Sequence, residues 1–192
     1  MTGLKTARRA WWLALVGLAL SLCRVGAGKD RAVGEYQVKA AFLYNFTKFA
    51  DWPAIAFESA NAPFVIGIAG DDPFGEDLDD VVRNESVRGH PLVVKRFRAD
   101  DDFTGCHLLF ISRSTKDRLD AVLKQVRSRP ILTISDTGGF AERGVMVNLL
   151  LVQGSVKMEI NRQAAEQTGL QISSKLLSLA QIVETGAAPS RR

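Results

Sequence analysis

Three short polar segments hold the residues best placed to do chemistry, and each follows an apolar run of strand type. The residues of interest in them are Asp71, Asp72, Arg113, Asp136, Gly138, Gly139 and Phe140. Ligands of open α/β sheets gather beyond the carboxyl ends of the strands, so parallel strands would bring the segments to one edge. Gly138 and Gly139 could let backbone N–H groups approach an anion or a partner there. In the simpler interpretation, the glycines turn the chain, Asp136 caps the turn and the other acids are solvated.

Patterns for catalysis and for metal binding are sparse. The chain has two histidines, His90 and His107, and contains no nucleophile elbow, no phosphate loop and no GxGxxG after a strand. A zinc site made from Cys106, His107 and His90 would lack a fourth spaced ligand. We therefore predict that the protein is not an enzyme and that it has no catalytic residues, metal site or cofactor.

The first 27 residues have the form of a secretory signal peptide. Lys5, Arg8 and Arg9 precede the apolar run 10–22, and small residues at 26–27 suit a signal peptidase. The run is shorter than the roughly 20 residues that span a bilayer. We predict export with cleavage near Ala27, one domain over residues 28–186 and a flexible tail over 187–192.

Cleavage would change both the charge and the cysteine content of the chain. Residues 1–27 carry four of the 25 basic residues and no acidic one, which leaves 21 bases against 21 acids. A chain near neutrality lacks the excess of basic residues that nucleic-acid binding requires, and we predict no such partner. Cys106 is then the single cysteine, so no internal disulfide can form, and we expect a small buried thiol.

Short apolar runs alternate with amphipathic segments along the rest of the chain. Runs of strand type lie at 64–69, 91–97, 106–111, 131–134 and 145–152, and an alternating segment lies at 155–160. Gln153 and Gly154 alone separate the last two, which predicts a β-hairpin.

Helical patterns lie between these runs. The first predicted helix spans Glu35 to Trp52, with Val38, Phe42 and Phe49 on one apolar side and Tyr36, Ala40 and Leu43 beside them. A weaker pattern covers 74–84. A third helix begins at Ser114, and its buried stripe is Leu119, Val122, Leu123 and Val126. Asn161 is placed to cap a short helix that stops near Gly169, and a last helix puts Ile172, Leu176, Leu179 and Val183 on one face.

This order of elements predicts an α/β fold. We expect three layers, with a mainly parallel mixed sheet flanked by helices, a late β-hairpin and a C-terminal helix. Leu177 and Ile182 lie off the centre of the last helix's stripe, so exposed apolar side chains there would mark a surface for a protein partner.

Several of these stretches together resemble the YfiR-like family. They include 35–49 followed by Trp52 and Pro53, the segment 66–75, and later pieces at 106–112, 131–136, 139–140, 144–149 and 172–177 with 179–180. The resemblance covers nearly all of the chain after residue 27.

The resemblance implies a periplasmic protein, often a homodimer, that represses a partner in cyclic di-GMP signalling. The implied partner is the periplasmic sensory domain of an inner-membrane diguanylate cyclase, or a related sensor. An outer-membrane lipoprotein is the second implied partner, because it captures the repressor and releases the cyclase. The alternative is a periplasmic small-molecule binding or ligand-sensing accessory protein that uses the edge formed by Asp71, Arg113 and Gly139.

Overall fold

The computed structural model describes residues 27–186, and within them residues 36–186 belong to one compact unit. The predicted signal peptide lies outside the described residues apart from Ala27, and so does the predicted tail 187–192. Both therefore stay predictions.

The described residues form ten strands and five α-helices. The strands are β1 Ala50–Asp51, β2 Phe64–Ala69, β3 Ser86–Val87, β4 His90–Phe97, β5 Leu108–Ile111, β6 Leu132–Ser135, β7 Val147–Val152, β8 Ser155–Asn161, β9 Gln171–Ile172 and β10 Gln181–Val183. The helices are α1 Ala27–Phe49, α2 Asp77–Val82, α3 Leu119–Val126, α4 Arg162–Glu166 and α5 Ser174–Leu177, with 3-10 turns at Ala54–Ala56 and Arg113–Arg118.

Eight strands form one mixed sheet in the order β10-β8-β7-β6-β5-β2-β4-β3. The run from β7 through β6, β5 and β2 to β4 is parallel throughout. β8 is antiparallel to β7, β3 is antiparallel to β4, and β10 is parallel to β8. β1 and β9 pair separately and antiparallel.

Apolar side chains cover both faces of the sheet. One core cluster joins the sheet to α1 and α2 through residues such as Leu43, Phe46 and Leu78. A second cluster joins the opposite face to α3, whose stripe Leu119, Val122, Leu123 and Val126 is buried as predicted. The predicted three-layer α/β fold with a mainly parallel mixed sheet is therefore confirmed.

Two local predictions rest on turn and cap chemistry, and both are confirmed. β7 and β8 form a hairpin across Gln153 and Gly154, whose φ values of 51° and 79° suit a two-residue turn. The side chain of Asn161 accepts the N–H of Ala164 at 2.9 Å and so caps α4.

The predicted orientation of the first helix is wrong in part. α1 ends at Phe49 rather than Trp52, and the next two residues form β1. Val38 and Phe49 are 48% and 37% exposed, while the buried stripe runs through Ala40, Leu43 and Phe46. The apolar residues of the helix cover a wide arc, and the part of it that packs in the core is centred on Ala40, Leu43 and Phe46.

The predicted C-terminal helix is wrong in its extent. Residues 171–183 form β9, the single turn α5 and the strand β10. Ile182 pairs with Ile160 of β8 in a parallel ladder. The ladder satisfies backbone groups that a helix would satisfy internally, and it adds one strand to the edge of the sheet.

Candidate functional site

The carboxyl ends of β2, β5 and β6 lie together, because these strands are adjacent and parallel. The backbone N–H of Asp71 donates to Ser114 Oγ at 2.8 Å, which joins the first two loops. Ser135 Oγ donates to the carbonyl of Ile111 at 2.7 Å, which joins β6 to β5. The structure thus brings the three predicted segments to one edge of the sheet.

The acids after β2 are held by local contacts. Asp72 accepts the backbone N–H of Phe74 at 2.8 Å and the Nε–H of Arg96 at 3.0 Å. Arg96 also pairs with Asp79, and this pairing lowers the pKa of the Asp79 carboxyl. Asp71 and Arg113 are exposed at the rim. These contacts are those of a solvated loop tied to the end of the sheet.

Asp136 lies under helix α1 and not in an open cleft. Its Oδ2 accepts Lys39 Nζ at 2.8 Å and the Tyr36 hydroxyl at 3.0 Å. The two charged side chains are nearly buried, at 2% exposure for Lys39 and 9% for Asp136. Tyr36 also packs edge-on against Phe74 at 5.5 Å between ring centroids. Tyr36 and Lys39 of α1 therefore cover the place where an α/β sheet commonly holds a ligand.

The segment after Asp136 turns the chain. Gly139 has φ +84°, a conformation that glycine adopts without strain, and neither Gly138 nor Gly139 has an atom within 4 Å of an added Cβ. Phe140 is 2% exposed, and the guanidinium of Arg143 lies 5.9 Å from its ring centroid. Phe140 is therefore a core residue, whereas the two glycines leave open space beside the turn.

A row of buried polar residues crosses the sheet next to this turn. Ser135, Asn148 and Glu159 are neighbours in register on β6, β7 and β8. Asn148 Nδ2 donates to the carbonyl of Thr137 at 2.9 Å and to Glu159 Oε2 at 3.4 Å. Asn148 Oδ1 and Thr137 Oγ1 are buried and have no hydrogen-bond partner in the described part of the chain. Polar atoms of this kind make the edge less stable than an apolar core of the same size.

At the opposite edge of the sheet, where the amino ends of β2, β4 and β5 lie, aromatic rings stack on one another in a cluster that the sequence analysis did not predict. Phe57 stacks on His90 at 3.9 Å and on His107 at 4.5 Å between ring centroids. Phe64 stacks on His107 at 4.9 Å and meets Trp52 edge-on at 4.8 Å. Both histidines and Phe64 lie at the amino ends of neighbouring strands. In the sequence, each of them stands at or near the start of an apolar run, and this shared position could have predicted that their rings meet.

His107 is fixed as a neutral ring by its two hydrogen bonds. Its Nδ1 accepts the backbone N–H of Val65 at 3.1 Å, so the proton is on Nε2, which donates to the carbonyl of Ala56 at 3.0 Å. Burial lowers the pKa of His107. With both ring nitrogens in backbone hydrogen bonds, this histidine is a structural residue.

Cys106 belongs to the other face of the sheet. Its side chain packs in the α3 cluster, and burial raises the pKa of the thiol to about 12. The thiol is therefore protonated and unreactive at neutral pH. Within residues 27–186, no group of three or more His, Cys, Asp or Glu side chains could hold a metal ion.

The two residues predicted for a partner surface differ in exposure. Leu177 is partly buried and packs against the larger core cluster. Ile182 is 49% exposed on β10, and Leu179 just before it is 70% exposed. β10 has β8 on one side and is the edge strand of the large sheet. Leu179 is thus more exposed than Ile182, although the sequence analysis placed it in the apolar stripe of a helix.

Comparison with known proteins gives the family. None of the helices over residues 27–186 combines the length and apolar character needed to cross a bilayer. No curated protein matches the sequence. The YfiR/HmsC-like family model matches residues 36–181, which is more than half of the chain and nearly all of the described unit. The chain belongs to the YfiR/HmsC-like family.

Proposed function

We propose that this protein is a periplasmic regulator that binds the periplasmic sensory domain of an inner-membrane diguanylate cyclase and holds it inactive. The observation that carries the proposal is the family match over residues 36–181. The proposal includes export with cleavage near Ala27, a homodimer, and an outer-membrane lipoprotein that captures the protein and releases the cyclase. No catalytic step is assigned to any residue.

The partner surface in this proposal is the β10 edge. Leu179 and Ile182 are exposed apolar side chains on one short segment, and an edge strand presents backbone N–H and C=O groups to a partner. Leu177 anchors the same segment to the core. A partner strand or apolar side chain docking here would cover apolar surface that water contacts in the isolated chain.

Repression needs differential binding. A regulator shifts its target only by the difference between its affinities for the two states of that target. Moving a cyclase from 99:1 active to 1:99 takes a preference of about 5.5 kcal/mol for the inactive state. Apolar contact at Leu179 and Ile182 is expected to supply part of that preference.

Deletion of the gene tests the function, and titration of the partner tests the surface. We expect the deletion to raise cyclic di-GMP, and the exported protein to bind the cyclase's periplasmic domain in isothermal titration. Leu179→Asp and Ile182→Asp should weaken that binding. Ile55→Asp is the matched control, because Ile55 is 87% exposed and lies in the 3-10 turn Ala54–Ala56.

Two results would contradict the proposal. If neither binding nor a change in cyclic di-GMP is found, the protein is not a cyclase repressor. If the Ile55 variant weakens binding as much as the β10 variants do, the partner surface has been assigned to the wrong segment.

A further inference from the structure

A pocket of about 450 Å³ opens at the aromatic edge of the sheet. Its volume lies in the range of pockets that hold small molecules. Apolar and aromatic side chains make most of the wall, and the polar side chains in it are Thr47, Ser59, Arg88 and His90. Among residues 27–186, no acidic side chain is part of the wall.

Hydrogen bonds and ring stacking hold the aromatic wall in place. Trp52 is 9% exposed and its indole N–H donates to the carbonyl of His107 at 3.0 Å. His90 Nδ1 lies 2.6 Å from the carbonyl of Ala62, so this nitrogen carries the proton, and the ring stacks on Phe57. Rings held by hydrogen bonds and stacking form a flat wall suited to another aromatic ring.

Arg88 supplies a positive charge at the rim. It sits in the tight connection between β3 and β4 with φ 51°, a conformation that a residue with a side chain rarely adopts. Its Nη2 pairs with the Asp51 carboxylate, and the two side chains are 53% and 61% exposed. A guanidinium has five N–H donors in a planar fork, so Arg88 can hold Asp51 and a second carboxylate together.

We infer that this pocket binds a small aromatic carboxylate, with the ring against Trp52 and Phe57 and the carboxylate on Arg88. The aromatic wall selects the ring, and the N–H donors of the Arg88 guanidinium that Asp51 does not occupy select the carboxylate. This site lies at the edge opposite Asp71, Asp136 and Gly139. It does not depend on the proposed repression of a cyclase.

Trp52 makes the test direct. The chain has three tryptophans, at 11, 12 and 52, so replacing the first two by phenylalanine leaves one indole, in the wall of the pocket. We expect 3-phenylpropionate to change the Trp52 fluorescence in a saturable way. Its uncharged amide and the non-aromatic cyclohexanepropionate should each bind about tenfold more weakly or worse.

Arg88→Gln should weaken binding of 3-phenylpropionate by about ten- to a hundredfold, because it removes a charge-assisted hydrogen bond. Arg83→Gln is the matched control, since Arg83 is another exposed arginine in an ion pair and does not line the pocket. Arg88→Lys keeps the charge and should retain part of the affinity. Urea unfolding of each variant shows that it is folded.

The inference is overturned if 3-phenylpropionate gives no saturable change up to the millimolar range. It is also overturned if the amide binds as tightly as the acid, or if Arg88→Gln and Arg83→Gln bind alike. Loss of binding in Arg88→Gln alone, with unchanged unfolding, supports the site.

Discussion

The buried ion pair between Lys39 and Asp136 allows a quantitative test of how α1 is held on the sheet. Lys39 Nζ lies 2.8 Å from Asp136 Oδ2, and both side chains are at least nine-tenths buried. Lys39→Met would leave the carboxylate under α1 with the Tyr36 hydroxyl, at 3.0 Å, still donating to it. Breaking a buried pair by removing one partner costs about 3–5 kcal/mol, because a charge is left uncompensated.

Replacing both charges should cost much less than the sum of the two single changes. Lys39→Met is expected to lower the free energy of unfolding by about 3–5 kcal/mol, and Asp136→Leu by up to the same amount. The double variant leaves no buried charge from this pair and should lose about 1 kcal/mol, roughly the hydrogen bond from Tyr36. The coupling between the two sites is therefore several kcal/mol, which a double-mutant cycle measures.

Urea unfolding is the assay, with the midpoint compared at an unchanged slope. Arg83→Met is the control, because Arg83 and Asp80 form a pair that is 67% and 58% exposed and is expected to contribute no more than about 1 kcal/mol. If Lys39→Met costs no more than Arg83→Met, or if the two single changes are additive, the pair does not hold α1 on the sheet.

Three further predictions concern the interior of the sheet. An unfolded imidazole takes up a proton near pH 6.5, whereas burial lowers the pKa of His107 in the folded protein, so the free energy of unfolding should be highest above about pH 6.5 and fall as the pH drops below it. His107→Asn should flatten this decline, measured as urea midpoints at several pH values. If the variant declines as steeply as the wild type, another group causes the pH dependence. Gly67→Ala would put a Cβ 2.7 Å from Cys106 Sγ and should lower the free energy of unfolding by about 1–3 kcal/mol. Gly138→Ala, whose Cβ would have nothing within 4 Å, should lower it by less than about 1 kcal/mol. Equal losses of stability in the two variants would mean that Gly67 is not tightly packed. The Cys106 thiol, with its pKa raised to about 12, should react with a disulfide reagent only after unfolding, and rapid reaction of the folded protein would contradict its burial.

Short-range signals explain the elements that could be predicted from the sequence. The β7–β8 hairpin depends on Gln153 and Gly154, and the start of α4 depends on Asn161. The α3 stripe repeats at helical spacing, and the apolar runs of β2 and β5 are too continuous to have a solvated face. Each signal lies within a few residues of the structure that it specifies.

The site residues show where prediction reached its limit. Asp71, Arg113 and Asp136 lie at one edge because each follows a strand and the three strands are adjacent and parallel, as the sequence predicted. That α1 covers this edge depends on Lys39, which lies 97 residues from Asp136 in the chain. The pocket at the other edge likewise joins Trp52, Phe57 and Phe64 to Arg88 and His90.

By itself, the sequence determined the family, the order of most elements and the α/β class, because these follow from local periodicity, turn residues and a pattern along the chain. The tertiary structure alone decided which stripe of α1 is buried, whether residues 181–183 are helix or strand, and which charges and rings meet. An apolar stripe can be buried only against a complementary surface, and a strand forms only beside another strand. Both partners come from distant parts of the chain, so local sequence does not specify them.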